Sequence, residues 1–145
     1  MSQETVAIGA DHAGFALKSV LSPLLEKLGF RVLDVGTNGS DSVDYPDFAD
    51  AVAKALSEGS AQRGVLICGS GIGMSIRANR HAGVRAALCH NEETARLARE
   101  HNDANVLVLG ARVTDEELAQ KCVEVFFSTK FDGGERHARR VAKLA

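Results

Sequence analysis

Short apolar runs and longer amphipathic segments alternate along this chain. Five apolar runs lie at residues 5–9, 30–35, 65–68, 85–89 and 105–109. Runs of this length without polar alternation are typical of strands that are buried on both faces of a sheet. Several of the segments between them carry apolar residues at three- and four-residue spacing, which is typical of amphipathic helices. The pattern therefore predicts an α/β fold, with a five-stranded parallel sheet covered by helices on both faces.

Local signals indicate where several helices begin, end or bend. Pro23 lies inside the first amphipathic segment, so we expect a kink or an early break there. Asn91 suits the cap of the helix after the fourth strand. Thr114 and Glu117 form a capping-box pattern for the helix that follows the fifth strand. A last helix is predicted over residues 135–144.

Composition narrows the class of protein. With 145 residues, the chain is expected to form one domain over residues 1–145. A formal net charge of -2 gives no reason to expect a nucleic acid or an anionic membrane as a partner. No apolar run approaches the length of a membrane span, and the polar N-terminus does not resemble a signal peptide. Three widely separated cysteines without CxxC spacing argue against a disulfide framework or a zinc site, and predict a cytoplasmic protein.

A glycine-rich stretch near the middle of the chain carries the first candidate chemistry. Cys68 ends the third apolar run, and Gly69, Gly71 and Gly73 follow it in a loop that leads into a helix. Unpaired amides of such a loop and of the first helical turn can bind an anion. A thiol beside these N–H donors is a candidate base or nucleophile. The alternative is that Cys68 only fills the core, and this stretch alone does not separate the two.

Polar side chains follow the predicted strands at the ends where ligands bind in parallel sheets. The carboxyl ends of strands in such a sheet form the ligand crevice. A carboxylate, an imidazole, a phenol, a hydroxyl and a guanidinium are expected to gather there beside the thiol: Asp11, His12, Tyr45, Ser70 and Arg112. This combination of groups favours an enzyme over a structural protein.

Basic residues concentrate in the last predicted helix of a net acidic chain. Arg136 and Arg140 are four residues apart and so share a helix face, where two guanidinium groups can bind a phosphate. The alternative is an ordinary solvated surface. His101 and Asn102 lie just before the fifth strand, and a histidine there is more often a helix cap or a hydrogen-bonding core residue than a catalytic group.

Taken together, the motifs resemble one family over nearly the whole chain. GADHAG at 9–14, DYPDFA at 44–49, CGSGIGMSIRANR at 68–80, GVRAAL at 83–88, HNDANVLVLGAR at 101–112 and GG followed by RHARRV at 136–141 resemble ribose-5-phosphate isomerase type B. That family belongs to the ribose/galactose phosphate isomerases. The resemblance implies a Rossmann-like, three-layer α/β/α sandwich, a sugar-phosphate substrate, and no metal or organic cofactor.

The resemblance also implies a role for each matching residue. Cys68 would move a proton between C2 and C1 of the opened sugar, and Ser70, where a threonine is common, would assist proton transfer at oxygen. His101, supported by Asp11, would open the furanose ring. Contacts with the substrate are implied for Gly69, Gly71 and Gly73 at the enediolate oxygens, for His12, Arg112, Arg136 and Arg140 at the phosphate, and for Tyr45 and Asn102 at the hydroxyls.

Two features of the chain depart from the family pattern. Glu135 is inserted between the double glycine and Arg136, which could shift the register of the tail. Some relatives use a glutamate further along the glycine loop as the base, but Met74 and Ser75 follow Gly73 here. The sequence leaves other functions open: an isomerase of allose, galactose or tetrulose phosphate, or a non-catalytic sugar-phosphate binding module.

Topology predicts that the active site is shared between two subunits. Cys68 and Asp11 belong to the carboxyl edge of the sheet, whereas His101 precedes the fifth strand and belongs to the opposite edge. A strand of five residues separates these edges by about 17 Å. If both groups act on one sugar, a second copy must supply one of them unless the loop folds back. We therefore expect a homodimer, with a dimer of dimers left open.

Overall fold

The computed structural model describes residues 3–145, which form a five-stranded parallel sheet between layers of helices. The strand order across the sheet is β2-β1-β3-β5-β4. The strands are β1 (Thr5–Ala10), β2 (Arg31–Gly36), β3 (Arg63–Cys68), β4 (Ala86–Leu88) and β5 (Val106–Gly110). The sequence thus predicted the α/β class, the number of strands and their parallel direction correctly.

Six helices connect and follow these strands. They are α1 (Phe15–Lys27), α2 (Tyr45–Ser57), α3 (Ile72–Ala78), α4 (Glu92–Glu100), α5 (Glu116–Ser128) and α6 (Glu135–Ala142). Helices α1, α4 and α5 share a buried apolar cluster with one face of the sheet, and α2 and α3 share another with the opposite face. The three-layer α/β/α sandwich is therefore confirmed.

Alternate residues of the central strands supply these two cores. Val65 and Ile67 of β3 point into the cluster with α1 and α5, whereas Leu66 and Cys68 point into the cluster with α2 and α3. Because both faces are covered, the strand is continuously apolar, as expected for a buried parallel strand. This arrangement leaves the strand ends as the exposed polar parts of the sheet.

Helix α1 does not break at Pro23. It continues to Lys27, although a proline inside a helix costs about 3 kcal/mol in lost hydrogen bonding and steric conflict. Leu21 and Leu25 lie on either side of Pro23 in sequence, and both are fully buried against the sheet. Burial of this face outweighs the local preference, so the predicted early break is wrong.

Two predicted helix caps have different outcomes. Asn91 caps α4 as predicted, with its side-chain oxygen accepting a hydrogen bond from the Thr94 amide at 2.8 Å. Thr114 does not cap α5, because the cap is Asp115, whose carboxylate accepts from the Leu118 amide at 2.8 Å. The Thr114 hydroxyl is instead buried and has no hydrogen-bond partner among residues 3–145. The capping-box prediction for this helix was therefore one residue early.

The edge strand β4 is short and is covered by a side chain. The amide group of Asn79 accepts a hydrogen bond from Ala86 N at 2.8 Å and donates one to Ala86 O at 2.9 Å. Asn79 follows directly after α3, so this pair of bonds also ties the end of α3 to the sheet edge.

No helix within residues 3–145 is long and apolar enough to cross a membrane. Helix α6 differs from the others because none of its residues is buried within the single chain. It is therefore the most exposed regular element of the fold.

Candidate active site

The glycine loop begins where β3 ends, at the carboxyl edge of the sheet. Cys68 is the last residue of β3 and pairs with Gly110 of β5. Gly71 caps α3 with a backbone φ of +82°, a left-handed conformation that side chains other than glycine rarely adopt. A Cβ atom at Gly71 would also lie 2.5 Å from the Leu88 side chain. The loop conformation therefore requires glycine at this position.

The Cys68 sulfur is held by this loop and faces the cleft above it. The residue is 5% exposed, and its sulfur accepts a hydrogen bond from Gly71 N at 3.2 Å. The same thiol lines a cleft of ≈ 680 Å³ together with Asp11, Tyr45 and Arg112. A thiol at the base of an accessible cleft, in contact with a backbone N–H donor, is placed for chemistry on a bound ligand.

The other two cysteines lie in a different environment. Cys89 and Cys122 are buried in the apolar cluster shared with α4 and α5. Burial raises the pKa of the Cys89 thiol to about 12 and that of Cys122 to about 11. Neither thiol lines the Cys68 cleft, and both are protonated at neutral pH, so they act as apolar core residues.

Close backbone contacts shape the walls of the Cys68 cleft. The Tyr45 ring packs directly against Gly73, leaving no room for a Cβ atom there. Arg112 N donates to Gly69 O at 2.9 Å, and the Arg112 guanidinium lies over Gly69. The Arg112 cation therefore lies at the start of the glycine loop, and the Tyr45 phenol lies at its end, where α3 begins.

Asp11, His12 and Ser70 each have a local partner. The Asp11 carboxylate is buried and accepts hydrogen bonds from Ala13 N at 3.0 Å and Gly14 N at 3.1 Å. His12 Nδ1 accepts from Val43 N at 3.1 Å, so the neutral ring carries its proton on Nε2. The Ser70 hydroxyl accepts from the backbone N–H two residues later, at 3.2 Å. These bonds fix the loops that bring the three side chains to the carboxyl edge.

His101, Asn102, Arg136 and Arg140 form a second group, which lies elsewhere. His101 is the residue at the carboxyl end of α4, and its ring stacks on that of His137 of α6, with centroids 4.5 Å apart. Asn102 and both arginines are exposed. The connector before α6 is tied to α4 by a hydrogen bond from Asp132 N to Glu100 O at 2.8 Å.

A strained turn anchors the loop that carries His101 and Asn102. Asp103 has a positive φ of 47°, a conformation that aspartate tolerates better than most residues. Its carboxylate accepts from Arg99 Nη1 at 2.8 Å and lies 3.5 Å from Arg85 Nη2. Arg99 is itself nearly buried and also donates to Ala104 O at 2.7 Å. This network fixes the direction in which the chain leaves α4.

The two groups lie at opposite edges of the sheet within one chain. β5 runs from Val106, opposite Gly64, to Gly110, opposite Cys68. His101 precedes the start of β5, so the length of the strand separates it from Cys68. The single chain therefore brings together Asp11, Tyr45, Cys68, Gly69, Ser70, Gly73 and Arg112 around the cleft, with His12 and Gly71 on the adjoining loops, and leaves His101, Asn102, Arg136 and Arg140 apart.

A larger cavity of ≈ 980 Å³ lies at the amino-terminal edge of the sheet, but most of its charged groups, Glu4, Arg63 and Arg99, are already paired. Arg63 donates to the Glu4 carboxylate, with Nη2 3.0 Å from Oε1, and Arg99 is bound to Asp103. Neither a thiol nor an imidazole is among the residues described around it. Within residues 3–145, no group of three or more histidine, cysteine or acidic side chains could hold a metal ion. The Cys68 cleft is therefore the better candidate for catalysis.

His137 is the residue of this region whose place the sequence did not indicate. The sequence showed it only as one of several basic residues of the last helix. Its side chain is 13% exposed, whereas the neighbouring arginines are exposed. The only signal was its position between Arg136 and Arg140, and nothing in the pattern paired it with His101.

Comparison with known proteins assigns the chain to a family. A family model described as Ribose/Galactose Isomerase matches residues 6–144. The chain is 45% identical over 139 residues to ribose-5-phosphate isomerase B of Escherichia coli, covering 96% of this chain and 93% of the relative. It is 42% identical over 131 residues to a D-erythrulose-4-phosphate isomerase of Pectobacterium atrosepticum, covering 90% and 86%. The structure of Clostridium thermocellum ribose-5-phosphate isomerase B superposes with a TM-score of 0.94 at 49% identity, covering 97% of this chain and 94% of that one. The chain is therefore an isomerase that belongs to the ribose/galactose isomerase family, as its motifs predicted.

Proposed function

We propose that this isomerase interconverts D-ribose 5-phosphate and D-ribulose 5-phosphate, with Cys68 as the base. The observation that carries the proposal is the position of the Cys68 sulfur at the base of the cleft, in contact with the amide of Gly71. Isomerisation of an aldose to a ketose needs a base beside C2 and preorganised donors where negative charge develops. The glycine loop supplies both within a few ångströms of one another.

The reaction begins with opening of the furanose ring. His101, supported by Asp11, takes the proton of the C1 hydroxyl and returns a proton to the ring oxygen as the bond between C1 and that oxygen breaks. The product is the open aldehyde. These two residues lie at opposite edges of one chain, so this step draws on two copies of the protein.

Proton transfer between carbons follows in the Cys68 cleft. Cys68, as a thiolate, removes the proton from C2, and the electron pair shifts the negative charge to O1 of an enediolate. The amides of Gly69 and Gly73, joined by that of Gly71 once the sulfur has taken up the C2 proton, donate hydrogen bonds to the enediolate oxygens, an arrangement in which each donor contributes about 3 kcal/mol to transition-state stabilisation. Ser70 assists the transfer of a proton from O2 to O1, and Cys68 returns its proton to C1.

The rest of the substrate is held at its hydroxyls and its phosphate. Tyr45 and Asn102 bind hydroxyls, and His12, Arg112, Arg136 and Arg140 bind the phosphate. The exposed guanidinium groups suit this role, since arginine forms paired hydrogen bonds with phosphate oxygens. Binding at this remote group orients the small sugar so that C1 and C2 lie beside the sulfur.

A homodimer with shared active sites completes this arrangement. His101, Asn102, Arg136 and Arg140 of one copy would join the Cys68 cleft of the other, and twofold symmetry would give two equivalent sites. Apolar residues at the rim of the cleft support burial by a second copy: Ile72 and Ile76 are each 55% exposed, and Val113 is 61% exposed. Helix α6, none of whose residues is fully enclosed in its own chain, is available for the same contact.

An activity panel tests the proposal. Purified protein, treated with a chelator, is given ribose 5-phosphate and the phosphates of allose, galactose and erythrose, and ketose formation is followed. Ribose 5-phosphate is expected to have the highest kcat/KM. Absence of turnover on every sugar would overturn the isomerase proposal and leave a binding module.

The second candidate function is isomerisation of a tetrulose phosphate. It is favoured by one observation, the 42% identity to a relative named as a D-erythrulose-4-phosphate isomerase. A higher kcat/KM with erythrose 4-phosphate than with ribose 5-phosphate in the same panel would select this function.

A further inference from the structure

Two imidazole rings from distant parts of the chain are stacked face to face. The rings of His101 and His137 have centroids 4.5 Å apart and planes inclined by 8°. His137 is well covered, with 13% of its side chain exposed, whereas 41% of the His101 side chain is exposed. One face of the His101 ring is therefore covered, and the rest of that ring is open to a ligand.

The stack restrains the His101 ring without occupying its nitrogens. In a face-to-face stack the nitrogens of each ring lie in the ring plane, at the edges, and stay accessible. Among residues 3–145, no hydrogen bond reaches either ring nitrogen of His101, and the nearest charged group is Glu100 Oε1, 3.5 Å from Nε2. Most histidines with a defined orientation owe it to a hydrogen bond at one nitrogen. For His101, stacking on the face of the ring restricts its orientation instead.

His137 can reach His101 because the connector before α6 is attached to the end of α4. The hydrogen bond from Asp132 N to Glu100 O, at 2.8 Å, brings the connector beside His101. Asp132 also lies 3.9 Å from His137 Nε2. None of the residues of α6 is buried, and the stack joins one of its side chains to the end of α4.

We propose that His137 is a positioning residue that orients the His101 imidazole for ring opening through the stack. The inference rests on the proposed function, in which His101 moves the protons that open the furanose. Ring opening needs one nitrogen to reach the C1 hydroxyl and then the ring oxygen. A ring that rotates freely about its side-chain bonds would reach those atoms only part of the time, so the stack raises the fraction of productive orientations.

The test separates ring opening from the transfer of protons between carbons. Conversion of ribose 5-phosphate starts from the closed ring and needs both steps. Exchange of solvent deuterium into C1 of ribulose 5-phosphate starts from an open ketose and needs only the carbon proton transfer at Cys68. Initial rates of both are measured at saturating substrate for the full-length wild type, His137→Ala, His137→Phe and Arg139→Ala. Arg139 is the matched control, because it is an exposed residue of the same helix that has no role in the proposed site.

His137→Ala is expected to lower the conversion of ribose 5-phosphate by about 10- to 100-fold, the size of effect that a misplaced catalytic group produces. Its deuterium exchange into ribulose 5-phosphate should stay close to that of the wild type. His137→Phe keeps an aromatic face against His101 and should restore most of the lost conversion. Arg139→Ala should match the wild type in both measurements.

Two outcomes would overturn the inference. A parallel fall of conversion and exchange in His137→Ala would show that His137 serves folding, phosphate binding or dimer formation instead. Equal loss in His137→Phe and His137→Ala, with exchange preserved, would show that a nitrogen of His137 is required and the stack is not. A wild type that performs neither reaction would instead contradict the proposed function.

Discussion

The Cys68 cleft and the His101–α6 region differ in how their geometry is maintained. The cleft is built on the carboxyl ends of β1, β3 and β5, where the strand residues are buried, and its loop leaves no space for added atoms at Gly71 or Gly73. In the His101–α6 region the polar network of Arg99 and Asp103 fixes the loop after α4, but α6 has no buried residue, and one ring stack and one backbone hydrogen bond join it and its connector to the end of α4. One chain therefore preorganises the proposed proton-transfer site, while the proposed ring opening and phosphate binding also draw on elements that need further support.

The largest expected effect comes from removing the reactive group of the rigid region. Cys68→Ala should lower proton transfer by at least about 10²- to 10⁴-fold, the usual contribution of a positioned base. Sugar-phosphate binding should remain nearly intact, because Cys68 is not one of the proposed phosphate contacts. Deuterium exchange at C2 of ribose 5-phosphate and a binding isotherm measure the two properties. If Cys68→Ala exchanged deuterium at the wild-type rate, Cys68 would not be the base.

Subunit mixing tests whether the two regions serve one site across two chains. Cys68→Ala and His101→Ala proteins, each inactive alone, are combined under conditions that exchange subunits. Each mixed dimer would hold one doubly defective site and one intact site, so an equal mixture should recover about a quarter of wild-type activity. If mass measurement confirms exchange and activity stays absent, the shared-site arrangement is wrong.

Removing the exposed arginines of α6 tests the proposed phosphate-binding role of the His101–α6 region. Arg136→Ala combined with Arg140→Ala should raise KM for ribose 5-phosphate more than tenfold, because each charge-assisted hydrogen bond removed costs roughly 1.5–3 kcal/mol. The glycine loop is untouched, so kcat should fall less than KM rises. Arg139→Ala again provides a control on the same helix. An unchanged KM would assign this face of α6 to solvent.

The smallest effects are expected in the core. Cys89→Ala and Cys122→Ala should each cost about 1 kcal/mol of unfolding free energy, the usual size for a small buried change, and leave kcat unaltered. Burial holds the pKa of these thiols at about 12 and about 11, so neither forms appreciable thiolate near neutral pH. An alkylating reagent should therefore modify the native wild type at Cys68 first. Faster labelling of Cys89 or Cys122 would contradict the contrast between the environments.

Sequence patterns predicted the rigid region better than the exposed one, for a physical reason. The run Val65–Cys68 is apolar because both faces of β3 are buried, so the burial of this strand can be predicted from the local sequence. The glycines after it predict a tight turn, and at Gly71 the backbone conformation does require glycine. The stack between His101 and His137 has no local sequence pattern that predicts it, because it depends on how the connector turns α6 back towards α4.

Errors in the predicted helices have a related origin. The preference of Pro23 to end a helix is local, but burial of Leu21 and Leu25 depends on the sheet and outweighs it. Thr114 has the right side chain for a cap, yet its hydroxyl is enclosed and Asp115 takes its place. Asn91 was predicted correctly because its partner, Thr94, is three residues away in the same turn. Local partners are visible in sequence, whereas distant ones are not.

The Asn79 side chain has a consequence for how copies of this chain can associate. An edge strand offers free N–H and C=O groups, and a strand from another molecule can pair with them to extend the sheet or to start an aggregate. At β4 the Asn79 amide already occupies both groups of Ala86, much as a neighbouring strand would. Addition of a strand there would first have to displace it. Sheet-to-sheet growth along β4 is thereby disfavoured, and association is directed to surfaces formed by side chains.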